Sequence, residues 1–193
     1  PKGVMVTDKM YRCSGKAASL VADVRPGDVM FIWEPLYHIG GSQVMVLALE
    51  QDISLAMVER FSASRFWDQV REAGATQIHY LGGILQILLK QPKRPDDGDN
   101  PVRIAWGGGA PITVWQPFTD RFGPEIRENY GMTEASSVTT LNLGESPAGS
   151  NGKAAPYFEV RIGDDDGNPL GIGERGEIMV REKEPGLITK GYF

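Results

Sequence analysis

Apolar runs of strand length alternate along this chain with stretches of helical period. Val29-Met30-Phe31-Ile32-Trp33, residues 76–81 and Val102-Arg103-Ile104-Ala105-Trp106 are short apolar runs that predict buried strands. Residues 53–61 read as a further strand, and residues 125–130 as a short alternating one. Between these runs lie helix-compatible stretches: residues 9–24, an apolar helix that follows the loop at 35–41 and runs to about Leu49, residues 83–90 and residues 114–122. Another helix presents Phe66, Trp67 and Val70 on one face, with Ser64 placed to cap it and Gly74 to close it. Arg25-Pro26-Gly27-Asp28 is a turn. Residues 92–101, with their Asp, Gly and Asn, predict an exposed loop of low order. The alternation predicts an α/β fold, a mainly parallel sheet flanked by helices.

The texture changes after about Asn151. Residues 158–162 and 176–180 read as strands with the turn Asp164-Asp165-Asp166-Gly167-Asn168 between them. No helical pattern intervenes, which predicts a small antiparallel β subdomain. The expected organisation is an α/β part over residues 1–150 and the start of a β subdomain over 151–193.

Composition narrows the classes. A chain of 193 residues, 41% hydrophobic and 23% charged, holds one substantial globular core. A net charge of −5 gives no cationic footprint for nucleic acid, although glycine amides and a metal ion handle a nucleotide's phosphates locally. The single Cys13 excludes an internal disulfide framework and suits a reducing, cytoplasmic setting. Two His and one Cys supply no structural zinc set. No apolar run approaches the roughly 20 residues that span a bilayer. Both termini read as cuts inside a longer protein, since the chain starts at Pro1-Lys2-Gly3-Val4 and stops within the semi-apolar run ending at Phe193.

The chemistry concentrates after two strands. Tyr130-Gly131-Met132-Thr133-Glu134 sets an aromatic ring, a flexible glycine, a hydroxyl and a carboxylate at a strand's C-terminal end. A ring can stack on a base, a hydroxyl can donate to a phosphate, and a carboxylate can hold magnesium. The plainer reading is a strand-to-loop exit with a solvated Glu. Gly107-Gly108-Gly109-Ala110-Pro111 follows a strand and opens a helix, with Pro111 suited to the first helical position. Its plainer reading is a tight turn, and it lacks the glycine spacing of a dinucleotide fingerprint.

With Pro1-Lys2-Gly3 and Pro35-Leu36-Tyr37-His38 added, the chain resembles the adenylate-forming superfamily, specifically the acyl-CoA synthetases. In that family a phosphate loop ends in Pro-Lys-Gly, and the other motifs follow in this order. Gly173-Glu174-Arg175-Gly176-Glu177-Ile178 and Lys190-Gly191-Tyr192 are similar to its later elements. Residues 61–67, the Tyr130 motif and residues 185–190 look most like the carnitine/crotonobetaine-CoA ligase branch.

The resemblance implies an enzyme that uses ATP and magnesium to convert a carboxylic acid into an acyl-adenylate, then passes the acyl group to coenzyme A. It implies that Tyr130 stacks on adenine, that Gly108, Gly109, Ala110 and Pro111 line the base pocket, and that Asn129, Gly131 and Met132 stand beside it. Thr133 would donate to a phosphate and Glu134 would hold magnesium. Lys2 would be the end of the phosphate loop, and His38 would sit near the acyl group or the thiol's path. The plain alternatives are an exposed terminal Lys2 and a His38 that merely caps the Ile39-Gly40 turn. Tyr192 and Glu177 read as structural. The glycine-rich start of the phosphate loop, a ribose-binding Asp and an adenylation Lys have no counterpart here, and Asp8 stands where many relatives carry His. Residues 1–193 alone are therefore expected not to complete the reaction. Two alternatives stay open: an amino-acid adenylation domain, disfavoured because no acidic residue stands out near His38 or Gly107, and a non-catalytic nucleotide-binding module. Trp33, Tyr37, Trp106 and Val138 are candidates for an acyl pocket, with plain core as the alternative.

Overall fold

The computed structural model describes residues 2–193, so Pro1 of the first motif lies outside the described residues. The apolar runs become a seven-stranded sheet in the order β2-β1-β3-β4-β5-β6-β7. Strands β1 (Val29–Ile32), β2 (Ser54–Met57), β3 (Gln77–Leu81), β4 (Ile104–Gly108) and β5 (Glu125–Tyr130) pair in parallel. The short β6 (Thr140–Leu141) and β7 (Lys153–Ala154) continue the sheet antiparallel. Parallel neighbours need crossover connections, which the helices supply. These are α1 (Asp8–Ala22), α2 (Ile39–Glu50), α3 (Phe66–Glu72), α4 (Ile84–Leu89) and α5 (Ile112–Phe122).

Pleating sends alternate strand residues to opposite faces, and here both faces are covered. Met30, Ile32, Ile104 and Trp106 pack under α1 and α2, against Ala17, Val21, Val44 and Leu47. Phe31, Ile78, Tyr80 and Ala105 face the other way, onto Phe66, Val70, Leu88 and Phe118 of α3, α4 and α5. A separate antiparallel pair, β8 (Phe158–Gly163) and β9 (Glu177–Glu182), follows. Phe158 and, beyond β9, Leu187 reach back into the core beneath α1. The mainly parallel sheet flanked by helices and the small antiparallel sheet after it match the sequence reading. No helix among the described residues is long and apolar enough to cross a membrane.

Four local expectations are corrected. Ser64 does not cap α3: Arg65 precedes the helix without a side-chain cap, and the Ser64 hydroxyl faces that of Ser62 at 3.5 Å. Strand β2 is shorter than residues 53–61, because Phe61 packs its ring against Trp33 and Phe66 instead. Pro111 precedes the first turn of α5 with ψ 141° rather than occupying it. The loop at 92–101 is well tied down. Asp97 accepts from Arg121 Nε at 2.7 Å and from the Arg94 N–H at 3.0 Å, while Arg121 also donates to the carbonyls of Leu89, Gln91 and Pro92. A run of turn residues predicts the path of the backbone, but not the arginine that arrives from another element to hold it.

At the opposite edge from the C-terminal strand ends, Asp28 gathers the strand starts. Its buried carboxylate accepts from Arg25 N–H (2.8 Å), Thr76 Oγ1 (2.7 Å), Gln77 Nε2 (2.8 Å) and Arg103 Nη2 (2.8 Å). Burial pushes its pKa up, but the hydrogen bonds from Thr76, Arg25 and Arg103 together pull it below the usual Asp range. Removing the carboxylate strands Arg103 and Gln77, so Asp28→Ala is expected to lower unfolding free energy by about 3 kcal/mol in urea titration. The folded carboxyl titrates below the unfolded one. Its contribution is therefore complete above roughly pH 4 and drains away as pH falls through the lowered value, an acid-side slope that Asp28→Ala should flatten.

Candidate active site

The strand order places β1 and β3 side by side with crossovers leaving in opposite directions. Such a switch point opens a crevice at the C-terminal ends of the strands. Here it is a cleft of about 620 Å³, lined by the first turns of α2, the ends of β3, β4 and β5, and the loops that follow β4 and β5. His38, Gly108, Gly109, Ala110, Pro111, Asn129, Tyr130, Gly131, Met132 and Thr133 all line it.

The glycine turn is shaped from beneath by a carboxylate. Glu128, 3% exposed, accepts from the Gly109 N–H, the Ala110 N–H (3.2 Å) and the Tyr80 hydroxyl (2.6 Å). Burial raises the Glu128 pKa, with the Tyr80 hydroxyl and the two amides opposing the rise. Burial, and then the charge of Glu128, hold the Tyr80 hydroxyl well above its ordinary value, so it remains a donor. Gly109 has φ +88°, a conformation that favours glycine. The second wall is equally constrained: a Cβ on Gly131 would overlap the Ser137 carbonyl oxygen. Asn129 stands between the two walls, and its Nδ2 is a buried donor without a partner among the described residues. A ligand acceptor in the cleft would satisfy it.

His38 caps its helix and also lines the cleft. Its Nδ1 accepts from the Gly40 N–H at 3.0 Å and caps α2, while the residue faces the cleft. Lys2 and Glu134 do not line the cleft; they meet at Tyr192. Its hydroxyl donates to Glu134 Oε1 at 2.7 Å, and the Lys2 ammonium lies 4.7 Å from its ring centroid. The hydrogen bond to Glu134 raises the Tyr192 pKa. None of the four acyl-pocket candidates lines the cleft: Trp106 and Val138 are core, Tyr37 is 92% exposed, and Trp33 donates from Nε1 to the His79 carbonyl at 2.9 Å. No group of three or more His, Cys, Asp or Glu residues able to hold a metal occurs among the described residues.

Sequence reasoning missed Glu128, Tyr80, Gln43, His79 and the buried Glu34. One signal was present: Glu128 shares a strand face with Ile126, and a charged residue on the buried face of a parallel strand needs a partner. The others are brought in by strand pairing and helix packing, with no local signature.

The family model for AMP-binding enzymes matches residues 1–193. The chain is 32% identical over 196 residues to long-chain fatty acid transport protein 1 of Mus musculus, covering 98% of this chain and 30% of that one. It is 32% identical over 187 residues to the medium/long-chain-fatty-acid–CoA ligase FadD6 of Mycobacterium tuberculosis, covering 96% and 31%. The chain thus spans about a third of the length of these curated relatives. Among solved structures, o-succinylbenzoate coenzyme A synthetase (MenE) from Bacillus subtilis, in complex with ATP and magnesium ion, matches with a TM-score of 0.83 at 27% identity over all of this chain and 40% of that one. A benzoate CoA ligase from Burkholderia xenovorans LB400 shares the fold, with a TM-score of 0.89 at 23% identity over all of this chain and 40% of that one. In sequence and in fold, this chain belongs to the AMP-binding, adenylate-forming enzymes and is acyl-CoA synthetase-like.

Proposed function

We propose that this chain forms the adenylate-binding part of an enzyme that activates a carboxylic acid with ATP and passes the acyl group to coenzyme A. The observation that carries this reading is the single cleft walled by Gly108–Pro111 on one side and 130–133 on the other, with the unpartnered Asn129 donor between them. Tyr130 would stack on adenine, the glycine turn would let the base approach the backbone, and Gly131 and Met132 would fix the loop around it. Thr133 would donate to a phosphate oxygen. The reaction needs phosphate charge neutralised and the carboxylate oriented, more than it needs a general base.

Glu134 suits magnesium as a lone carboxylate, because that ion keeps waters and takes other ligands from substrate phosphates. When bound, it would neutralise phosphate charge. Lys2 would add a cation at the same edge, and His38 would border the acid and the thiol's approach. A lone buried thiol, Cys13, accords with work in the cytoplasm, its pKa raised to about 11 by burial. The carnitine/crotonobetaine resemblance rests largely on residues 61–67 and 185–190, which lie outside the cleft lining and so say little about the acid. The ribose-binding Asp and adenylation Lys have no counterpart among residues 2–193, so this segment by itself is expected to bind adenylate without turning over.

Base stacking on an aromatic contributes roughly 1–3 kcal/mol. Tyr130→Ala should therefore weaken AMP binding by about ten-fold or more in calorimetry. Glu134→Gln should leave AMP binding near wild type yet sharply reduce magnesium-dependent pyrophosphate release in the full-length polypeptide; unchanged release would remove Glu134 from the metal's role. Glu128→Gln cannot accept from all three donors as a carboxylate does. It should weaken AMP binding about ten-fold through the loosened glycine turn, with the Tyr130 stacking partner left in place.

A further inference from the structure

The side of the cleft formed by β3 and α2 carries polar groups that the adenylate reading does not use. His79 of β3 lines the cleft next to the first turn of α2: a Cβ on Gly40 would lie 3.1 Å from its Cε1. Its Nδ1 is bonded to the Glu34 carboxylate, with the two side chains only 4% and 1% exposed. The imidazole also packs on Trp106, ring centroids 4.2 Å apart, which fixes its plane. Nδ1 is taken up by Glu34 in either tautomer, so Nε2 is the ring nitrogen left for a ligand. Gln43 is three residues past Gly40, hence on the same face of α2. It also lines the cleft and is 2% exposed, and its Oε1 has no partner among the described residues.

A plain hydrocarbon chain laid against Nε2 and the Gln43 amide would leave both buried and unpaired, which is unfavourable. A hydroxyl suits them in either arrangement. Against an imidazolium it accepts from Nε2 and donates to Gln43 Oε1. Against a neutral ring it donates to Nε2 and accepts from the amide turned over.

We propose that the acid taken by this cleft carries a hydroxyl on its chain, read by His79 and Gln43, with Glu34 as the positioning residue that holds the imidazole. This rests on the reading of the cleft as a carboxylic-acid site. The β4 and β5 walls face the nucleotide, which leaves the β3–α2 side for the acid.

The test is equilibrium binding, by calorimetry on the full-length polypeptide, of octanoate against a series of octanoates hydroxylated at successive carbons. At least one hydroxylated member should bind about ten-fold more tightly than octanoate. His79→Leu and Gln43→Leu should each bring that ratio close to one while octanoate binding holds or tightens. His79→Gln, which keeps a polar edge, should retain part of the preference, and Glu34→Gln should reduce it. Gln43→Leu leaves the Glu34–His79 pair itself in place, so it reports even where His79→Leu fails to fold. Equal binding of all the acids, no binding of any, or a preference that survives in Gln43→Leu would overturn the proposal. A preference that is present and lost as described, in protein that releases no pyrophosphate from ATP with any acid, would sink the catalytic reading and leave this one standing.

Discussion

One buried carboxylate organises the C-terminal edge of the sheet. Glu128 projects from β5, takes the hydroxyl of Tyr80 from β3, and takes two amides from the turn after β4. Three adjacent strands are thereby joined at the level where the cleft opens. A charge in such a place is tolerated only when donors surround it, and the donors stay in place only while the charge is there. The glycine turn follows from this arrangement. Its amides point down toward Glu128, so its other surface is free to face a ligand. Asp28 does the same at the opposite edge, where Arg103, Thr76 and Gln77 converge on it. The hydrophobic layers between these two carboxylates supply most of the burial, while the carboxylates fix how the strands register.

The fold was legible where the pattern is local. Runs such as 29–33 and 102–106 have the length and apolar content of strands buried on both faces, and their parallel pairing follows from the helices between them. That the residues after β4 and β5 would share one place was legible for the same reason, since the cleft-lining residues lie within a few positions of a strand end. What escaped was everything carried by long-range pairing. Glu34 and His79 meet because β1 and β3 are neighbours, and Gln43 joins them only through the packing of α2. Arg121 orders the loop at 92–101 from a separate helix. Ser64 failed as a cap because α3 begins later, at Phe66.

Tyr192 ties the far end of the described chain to its start. The isolated bridge between Val4 and Tyr192, with the Phe193 N–H donating to the Gly3 carbonyl at 2.7 Å, brings the two ends of the segment together. Lys2 and Glu134 are then neighbours of one ring, although they lie far apart in sequence. Tyr192, read as structural, thus spaces a cation and an anion.

The connection from β5 to β6 holds a further consequence. Tyr130 and Thr140 are paired across it, Thr139 N–H donates to the Tyr130 carbonyl at 2.8 Å, and Ser137 N–H donates to that of Met132 at 3.0 Å. Inside this closed loop Ser136 and Ser137 have φ of 54° and 70°, a region in which non-glycine residues are held at about 1–3 kcal/mol each. The Ser136 hydroxyl, donating to the Leu187 carbonyl at 2.6 Å, helps hold the first of them there. A segment fastened at both ends and bent against its own preference has few other shapes to explore. The aromatic ring and hydroxyl it carries are preorganised, so any ligand entering the cleft would meet a surface whose ordering entropy was already lost when the chain folded.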